Sequence, residues 1–348
     1  MSTQPTIPKK SIRWSKLFSR ACLNNGRTTA MQILIIGAGA VGQVYALYLS
    51  KAGNDISFFV KEKYSNELGA GLSLHRLTRS GHVTERLEGF GIVTSPAEVA
   101  ARTWDQVWIA IPGDALRSEL AGQVLEAVGG ATVIILQPDI NNDQHVRKIV
   151  PPEQIVIGVI PFFSFRSPLP DSDGPEGMAY FLSPLRSTLI SGPAARTKPV
   201  IAALRRAGLR AKQVRDVARE TAVGLALAQT MVAVLESNRW DYTGLPGSPA
   251  LLNGLVAVRE AMDAVATETG LPVTPSLKIM ATSLAWRLIV AASIHALPFN
   301  IEAALRYHFS KVGTQTRMLI DSYVALGKKH ALPTAGLAAL RRALPEHS

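Results

Sequence analysis

The chain has 348 residues, 47% of them hydrophobic and 18% charged, and a formal net charge of +11 at pH 7. This is an ordinary globular composition with length enough for two domains. The single cysteine, Cys22, excludes an intramolecular disulfide and suits a reducing, cytoplasmic compartment. The charge is uneven: Lys9, Lys10, Arg13, Lys16, Arg20 and Arg27 supply six of the eleven charges, with no acid among residues 1–30. The rest carries +5, which is unremarkable for a protein that binds anionic phosphates and makes no case for nucleic acid.

In chain order, residues 1–30 are basic and lack hydrophobic periodicity. They read as a disordered tail or the product of an upstream start codon, with Met31 as the natural beginning; an organelle presequence is the alternative, and no apolar stretch marks a secretory signal. Residues 31–36 (MQILII) form an apolar run ending in glycines, as buried parallel strands do. A helix is expected over 40–52 and a second strand over 55–60. Short extra strands follow at 71–77, 82–86 and 91–94. Buried strands are expected at 105–111 and 132–137, with helices at 114–127 and 141–149. This alternation predicts a doubly wound parallel sheet of the Rossmann kind. Strands are expected again at 155–163 and 178–191, then a helix at 194–208 and an extended piece at 209–214. From 216 the pattern is helical: 216–239, 250–269, 276–296, 299–309, 314–330 and 334–343, punctuated by prolines. The expected organisation is therefore 1–30 as extension, 31–215 as an α/β domain, and 216–348 as a mainly α-helical domain. The most apolar stretch, 277–297, contains Lys278, Arg287 and His295, so it is expected to be a buried helix and no membrane partner is expected.

Gly37-Ala38-Gly39-Ala40-Val41-Gly42 is a GxGxxG string between a predicted strand and a predicted helix, the context that makes it a dinucleotide fingerprint. Gly37 permits the tight turn, Gly39 lets the backbone approach a pyrophosphate, and Gly42 lets helix and strand pack closely. The second strand ends Val60-Lys61-Glu62-Lys63. Lys61, 19 residues after Gly42, stands where NAD enzymes place an acid, so a 2′-phosphate and hence NADP(H) is favoured; the alternative is that Lys61 and Lys63 are solvated and Glu62 takes the ribose. The next strand ends, Ile111-Pro112-Gly113-Asp114 and Gln137-Pro138-Asp139-Ile140-Asn141-Asn142, are candidate nicotinamide and substrate edges. Ile111, Pro112 and Gln137 are candidate coenzyme contacts and Asn141 a candidate substrate contact, unless Asn141 or Asn142 only caps a helix.

With those residues in view, the chain resembles the ketopantoate reductase family of the 6-phosphogluconate-dehydrogenase-like superfamily over roughly residues 31–270. The likeness rests on MQILIIGAGAVGQVYALYLSKAG, the basic residue after the second strand, DQVWIAI, VIILQPDINN, IVIGVIPFFSF, TLISGPAARTKPVIAALRRAGLRAKQVRDV and REAMDAVATETGLP. The resemblance implies a Rossmann domain, a helical second domain, NADPH, and an active site between them. The chain departs from the family's pattern where a lysine is expected after the fourth strand (here Pro112) and an asparagine after the fifth (here Pro138). The family's catalytic lysine falls near Ala226–Leu227 and its substrate-gripping acid near Gly313, so neither carries over.

The helix over 222–240 is apolar nearly all round, with Gln229, Thr230 and Glu236 inside it. Gln229 and Glu236 are seven apart and share a face. Gln229 is a candidate substrate contact. Glu236 is a candidate acid or base, or else a structural partner of Arg239 or another arginine. On a continuous helix His308, Lys311 and Gln315 share one face, with Gly313 as a potential break. His308 suits protonation of a carbonyl that receives hydride, and Lys311 suits a substrate carboxylate or a second proton source; both read equally as surface residues. No metal-ligand spacing, nucleophile elbow or Walker loop is present. The sequence thus points to an NADPH-dependent reductase of a small carboxylic acid's carbonyl or imine. A homodimer remains open. The rivals are an NADP(H)-binding sensor or partner-binding protein without turnover, and an opine-type reductive condensation.

Overall fold

The computed structural model describes residues 30–136, 140–170, 173–183, 186–309 and 313–345. Met31–Ser348 forms one compact unit. Its first part runs β1 (Gln32–Ile36), α1 (Ala40–Lys51), β2 (Asp55–Phe59), α2 (Ser65–Gly69), β3 (Leu72–Thr78), β4 (Gly81–Leu87), β5 (Gly91–Val93) and α3 (Pro96–Ala100). It continues with β6 (Gln106–Ile109), α4 (Gly113–Leu116), α5 (Glu119–Glu126), β7 (Thr132–Ile135), α6 (Ile140–Val146) and β8 (Ile155–Gly158). Then come β9 (Phe162–Ser167), β10 (Gly177–Leu182), β11 (Thr188–Ser191), α7 (Ala194–Arg206) and β12 (Ala211–Gln213).

Eight strands form the main sheet in the order β12-β11-β8-β7-β6-β1-β2-β5. β2, β1, β6, β7 and β8 run parallel, as the apolar runs predict, because strands covered on both faces need no polar alternation. β11 runs antiparallel to β8. β1 lies between β2 and β6, so the strand order reverses beside it; in doubly wound sheets ligands bind at that crevice. A second sheet, β4-β3-β10-β9, packs on α1 through Tyr45 against Phe162 (5.1 Å between rings) and Tyr48 against Tyr180 (6.0 Å). The sequence blurred this sheet: 155–163 and 178–191, expected as single strands, each divide between the main sheet and the small one. The expected helix over 114–127 is also two, because Ser118 caps a new helix at Glu119.

The second part is helical: α8 (Val217–Ser237), α9 (Pro249–Thr269), α10 (Pro275–Met280), α11 (Ser283–Ala296), α12 (Ile301–Phe309), α13 (Gly313–Lys329) and α14 (Ala335–Ala343). Asp216, Ser248, Thr274 and Thr282 cap their helices by accepting a backbone N–H, and Gly270 closes α9 in the left-handed region. A separate apolar cluster over Val223–Leu344 has α8 and α9 at its centre. Among the described residues α8 is the one single helix long and apolar enough to cross a membrane, and here it packs against α9, α13 and α14. The expectation of a buried helix over 277–297 does not hold. Ala281 and Thr282 break it into α10 and α11, and of the residues in α11 only Val290 is buried. Its inner side is anchored by Val290 and by Ser293, whose Oγ lies 2.8 Å from the Tyr242 hydroxyl; apolar composition did not decide which side would be covered.

Candidate active site

The GxGxxG turn has the geometry each glycine was assigned. Gly37 has φ +100°, which a side chain disfavours, and a Cβ there would stand 2.5 Å from Ile111 Cγ2. A Cβ on Gly42 would overlap the Gly37 carbonyl oxygen, so α1 meets β1 backbone to backbone. Gly39 is the opposite case: nothing lies within 4 Å of where its Cβ would be. Gly39 also occupies the N-cap of the twelve-residue α1 with no side chain capping it. The N–H groups of a helix's first turn point out of its N-terminus, so a bare backbone surface with positive dipole borders open space there, as a pyrophosphate requires. The turn is pinned on both sides: Gly37 N–H donates to Phe59 O (3.0 Å), and the buried Gln43 donates Nε2–H to Ala38 O (2.7 Å).

Beyond β2, buried Val60 leads to exposed Lys61, which precedes a one-turn 3-10 helix at Glu62–Tyr64; Tyr64 N–H donates to Lys61 O (2.9 Å). Lys63 sits over the Tyr64 ring, 4.9 Å from its centroid, so of the two lysines Lys61 is the one whose side chain is not engaged with that ring. At the end of β6 Ile111 flanks Gly37, placing it beside the turn, while Pro112 is exposed and accepts from Leu116 N–H as α4 begins. Gln137 and Lys311 lie outside the described residues. Asn141 lies in α6, but its side chain is outside them too.

On the helical side, Gln229 and Glu236 do share a face of α8, and that face meets α13. The Tyr323 hydroxyl donates to Gln229 Oε1, and Arg317 Nη1 lies 3.7 Å from the buried Glu236 carboxylate. Arg317 and Tyr323 were not among the residues expected at the site. They are six apart on a helix that runs antiparallel to α8, so the two pairs match, but pairing between helices leaves no mark on the local sequence. Of the face expected for His308, Lys311 and Gln315, only the His308 side chain falls among the described residues. His308 is exposed, its ring edge-on to Phe309 at 4.8 Å; Phe309 stacks with Trp240 just past the end of α8. Ala226 and Leu227, where the family's lysine falls, are buried. Among the described residues no three His, Cys, Asp or Glu side chains converge as metal ligands do.

Fold and turn define a doubly wound dinucleotide-type sheet joined to an all-helical half. Residues 33–171 match the family model described as ketopantoate reductase PanE/ApbA, so the resemblance to the ketopantoate reductase family holds. No curated protein sequence matches the chain. Among solved structures, the chain is similar to a PanE/ApbA family ketopantoate reductase from Ralstonia eutropha (TM-score 0.67, 17% identity, 90% of this chain and 97% of that one). It is also similar to D-mandelate dehydrogenase in a ternary structure with NADH and anilino(oxo)acetate (TM-score 0.66, 15% identity, 90% and 97%). A third is 2-dehydropantoate 2-reductase from Geobacter metallireducens (TM-score 0.64, 17% identity, 90% and 99%). At these identities the likeness is one of fold: ketopantoate-reductase-like, with oxidoreductases as neighbours.

Proposed function

We propose that the chain is an NADPH-dependent oxidoreductase that reduces the carbonyl, or imine, of a small carboxylic acid. Residues 31–215 bind the coenzyme and residues 216–348 supply the substrate side. The observation that carries this reading is the cradle at Gly37–Gly42: a strained turn, a close-packed third glycine, and open space over Gly39 at a helix N-terminus. The coenzyme supplies hydride when bound. Gly39 and the first turn of α1 hold its pyrophosphate, Ile111 and Pro112 border it, and Lys61 pairs with a 2′-phosphate. Gln229 and Asn141 contact the substrate. His308, with Lys311 two residues beyond Phe309, gives the proton to the heteroatom or holds the carboxylate. Glu236, buried against Arg317, serves the α8–α13 contact instead.

The test is titration with NADPH and NADH, then a keto-acid and imine panel. Wild type should bind NADPH more tightly. Lys61→Ala should weaken NADPH about tenfold or more while sparing NADH, as loss of a charge-assisted contact does. No response to either coenzyme sinks the reading; a preference for NADH removes only the role of Lys61. Full turnover in both His308→Ala and Lys311→Ala would remove the proton assignment. One observation favours a second reading, a coenzyme-binding protein without turnover: the buried Ala226 and Leu227 leave no cation in the slot that the resemblance gives to a catalytic lysine. Tight NADPH binding with no panel substrate converted would select it.

A further inference from the structure

Between Glu176 and Asp216 the chain carries eight arginines and lysines and no acid. None of them belongs to the glycine turn or to the α8–α13 contact. Three of the eight, Arg205, Arg210 and Lys212, line one recess of about 480 Å³ where α7 turns into β12. Ser187, just ahead of β11, adds a hydroxyl, and the remaining lining residues carry no charge. That volume falls in the range of small-molecule sites. Gly208, in the turn, has φ +79° and nothing within 4 Å of where its Cβ would be, so the recess opens directly over the chain there.

The side chains around the recess are short of acceptors. Arg205 donates its Nε–H to Ala211 O at 3.0 Å, which ties the guanidinium to β12 and leaves its terminal N–H groups for another acceptor. Among the described residues neither the Lys212 ammonium nor the Ser187 hydroxyl has a hydrogen-bond or ion-pair partner. No carboxylate lines the recess to offset the three cations, which repel one another across it. A purely structural cause covers part of this: Arg205 and Arg206 stand in the last turn of α7, where cations suit the helix dipole. It does not extend to Arg210 and Lys212, which lie beyond the helix, nor to the hydroxyl in their midst. The coenzyme does not account for them either. At about 4.8 Å per strand, β12, five strands from β1, stands roughly 24 Å along the sheet from the glycine turn. An anion held at Gly39 does not reach it.

We propose that this recess is a second anion-binding site, which takes a phosphorylated small molecule of two or more negative charges independently of the glycine turn. Arg205 offers paired N–H groups that match two phosphoryl oxygens, Arg210 and Lys212 add charge, and Ser187 donates its hydroxyl. A phosphoryl group fits better than a carboxylate, which brings two oxygens and one charge to three cations and a hydroxyl. A lipid headgroup offers the same chemistry. The concave shape favours a free ligand. So does the lack of any exposed large apolar side chain among the described residues of 184–216, since binding to a bilayer surface uses apolar groups that enter it. Nucleic acid is disfavoured because no aromatic residue for base stacking occurs between Phe181 and Trp240.

The experiment is calorimetric titration of the full chain with inorganic pyrophosphate at saturating NADPH, so that the glycine turn is already filled. Wild type should bind a single pyrophosphate per chain. Lys212→Glu should raise the dissociation constant about tenfold or more, and Arg205→Ala/Lys212→Ala about a hundredfold or more, with NADPH affinity unchanged in both. Gly39→Ala should do the reverse, losing NADPH and keeping pyrophosphate, so the two sites fail separately. Lys212→Glu leaves the Arg205–Ala211 bond in place and carries the test if the double variant melts early. No heat with pyrophosphate up to about 10 mM overturns the proposal. So does Lys212→Glu binding as tightly as wild type, or pyrophosphate that competes with NADPH. Binding to phosphatidic acid/phosphatidylcholine vesicles or to single-stranded DNA, without a response to pyrophosphate, overturns it in favour of that partner.

Discussion

Gly39 and Gly42 sit three residues apart in one turn, yet substitution should separate them. A Cβ on Gly42 overlaps the Gly37 carbonyl oxygen and presses on Ile35 and Ala110, at 3.2 and 3.3 Å. Gly42→Ala therefore forces backbone to move and should lower stability by about 1–3 kcal/mol, with coenzyme binding lost as the turn distorts. Gly39 has an ordinary φ of −75° and empty space beside it. Gly39→Ala should melt like wild type but bind NADPH at least about tenfold more weakly, because the methyl group occupies the pyrophosphate's path. Calorimetric titration beside thermal melts checks both; equal coenzyme affinity in Gly39→Ala and wild type would show that nothing approaches the turn there. These residues were readable from sequence because the constraint is local: a φ of +100° and a helix–strand contact both act within six residues.

Contacts between elements carry the next set of expectations. Arg317 of α13 faces the buried Glu236 of α8, and removing one member of a buried pair commonly costs about 3–5 kcal/mol. Arg317→Leu should thus lower the denaturation midpoint markedly, and Glu236→Gln in that background should restore part of the loss. If Arg317→Leu instead abolishes turnover with stability intact, Glu236 belongs to the chemistry after all. At the start of α3, Glu98 accepts from the Thr94 backbone N–H and from the Ser95 and Thr94 hydroxyls, while Ser95 accepts from Glu98 N–H. The Thr94 N–H leads the interactions that hold the Glu98 carboxyl below its ordinary pKa. A group so depressed stabilises the fold above its unfolded pKa and loses that contribution as pH falls through the lower folded value. The melting difference between wild type and Glu98→Gln should therefore be constant well above the ordinary glutamate pKa of about 4.3 and shrink as the pH falls below it; a difference that grows on acidification contradicts the assignment. The Ser95–Glu98 pair acts within three residues and so carries a local signature, although the short helix α3 was not expected from the sequence. The α8–α13 pairs carry none, because helix propensity says nothing about which helix lies alongside.

Across the whole molecule, the linker between α11 and α12 reaches the small sheet. Phe299 packs against Phe163, Phe165 and Phe181 with ring separations of 5.7, 5.5 and 6.1 Å, joining the helical half to β9 and β10. Phe299→Ala should lower stability by about 2 kcal/mol, less than a fully buried phenylalanine since these rings are partly exposed. It should also make the α11–α12 connection the first point of limited proteolysis; unchanged cleavage would mean the two halves are held elsewhere. By itself the sequence determined the strands that are buried on both faces, the glycine turn, and the shift to helical periodicity after 215. Each depends on neighbours close in the chain, where apolar spacing and backbone freedom act directly. Only the tertiary structure decided how 155–191 divides between two sheets, that Glu236 faces Arg317, and that α11 keeps one apolar side uncovered. Those outcomes rest on which distant element arrives to bury a given face, and composition alone places a leucine in the interior whether or not anything comes to cover it.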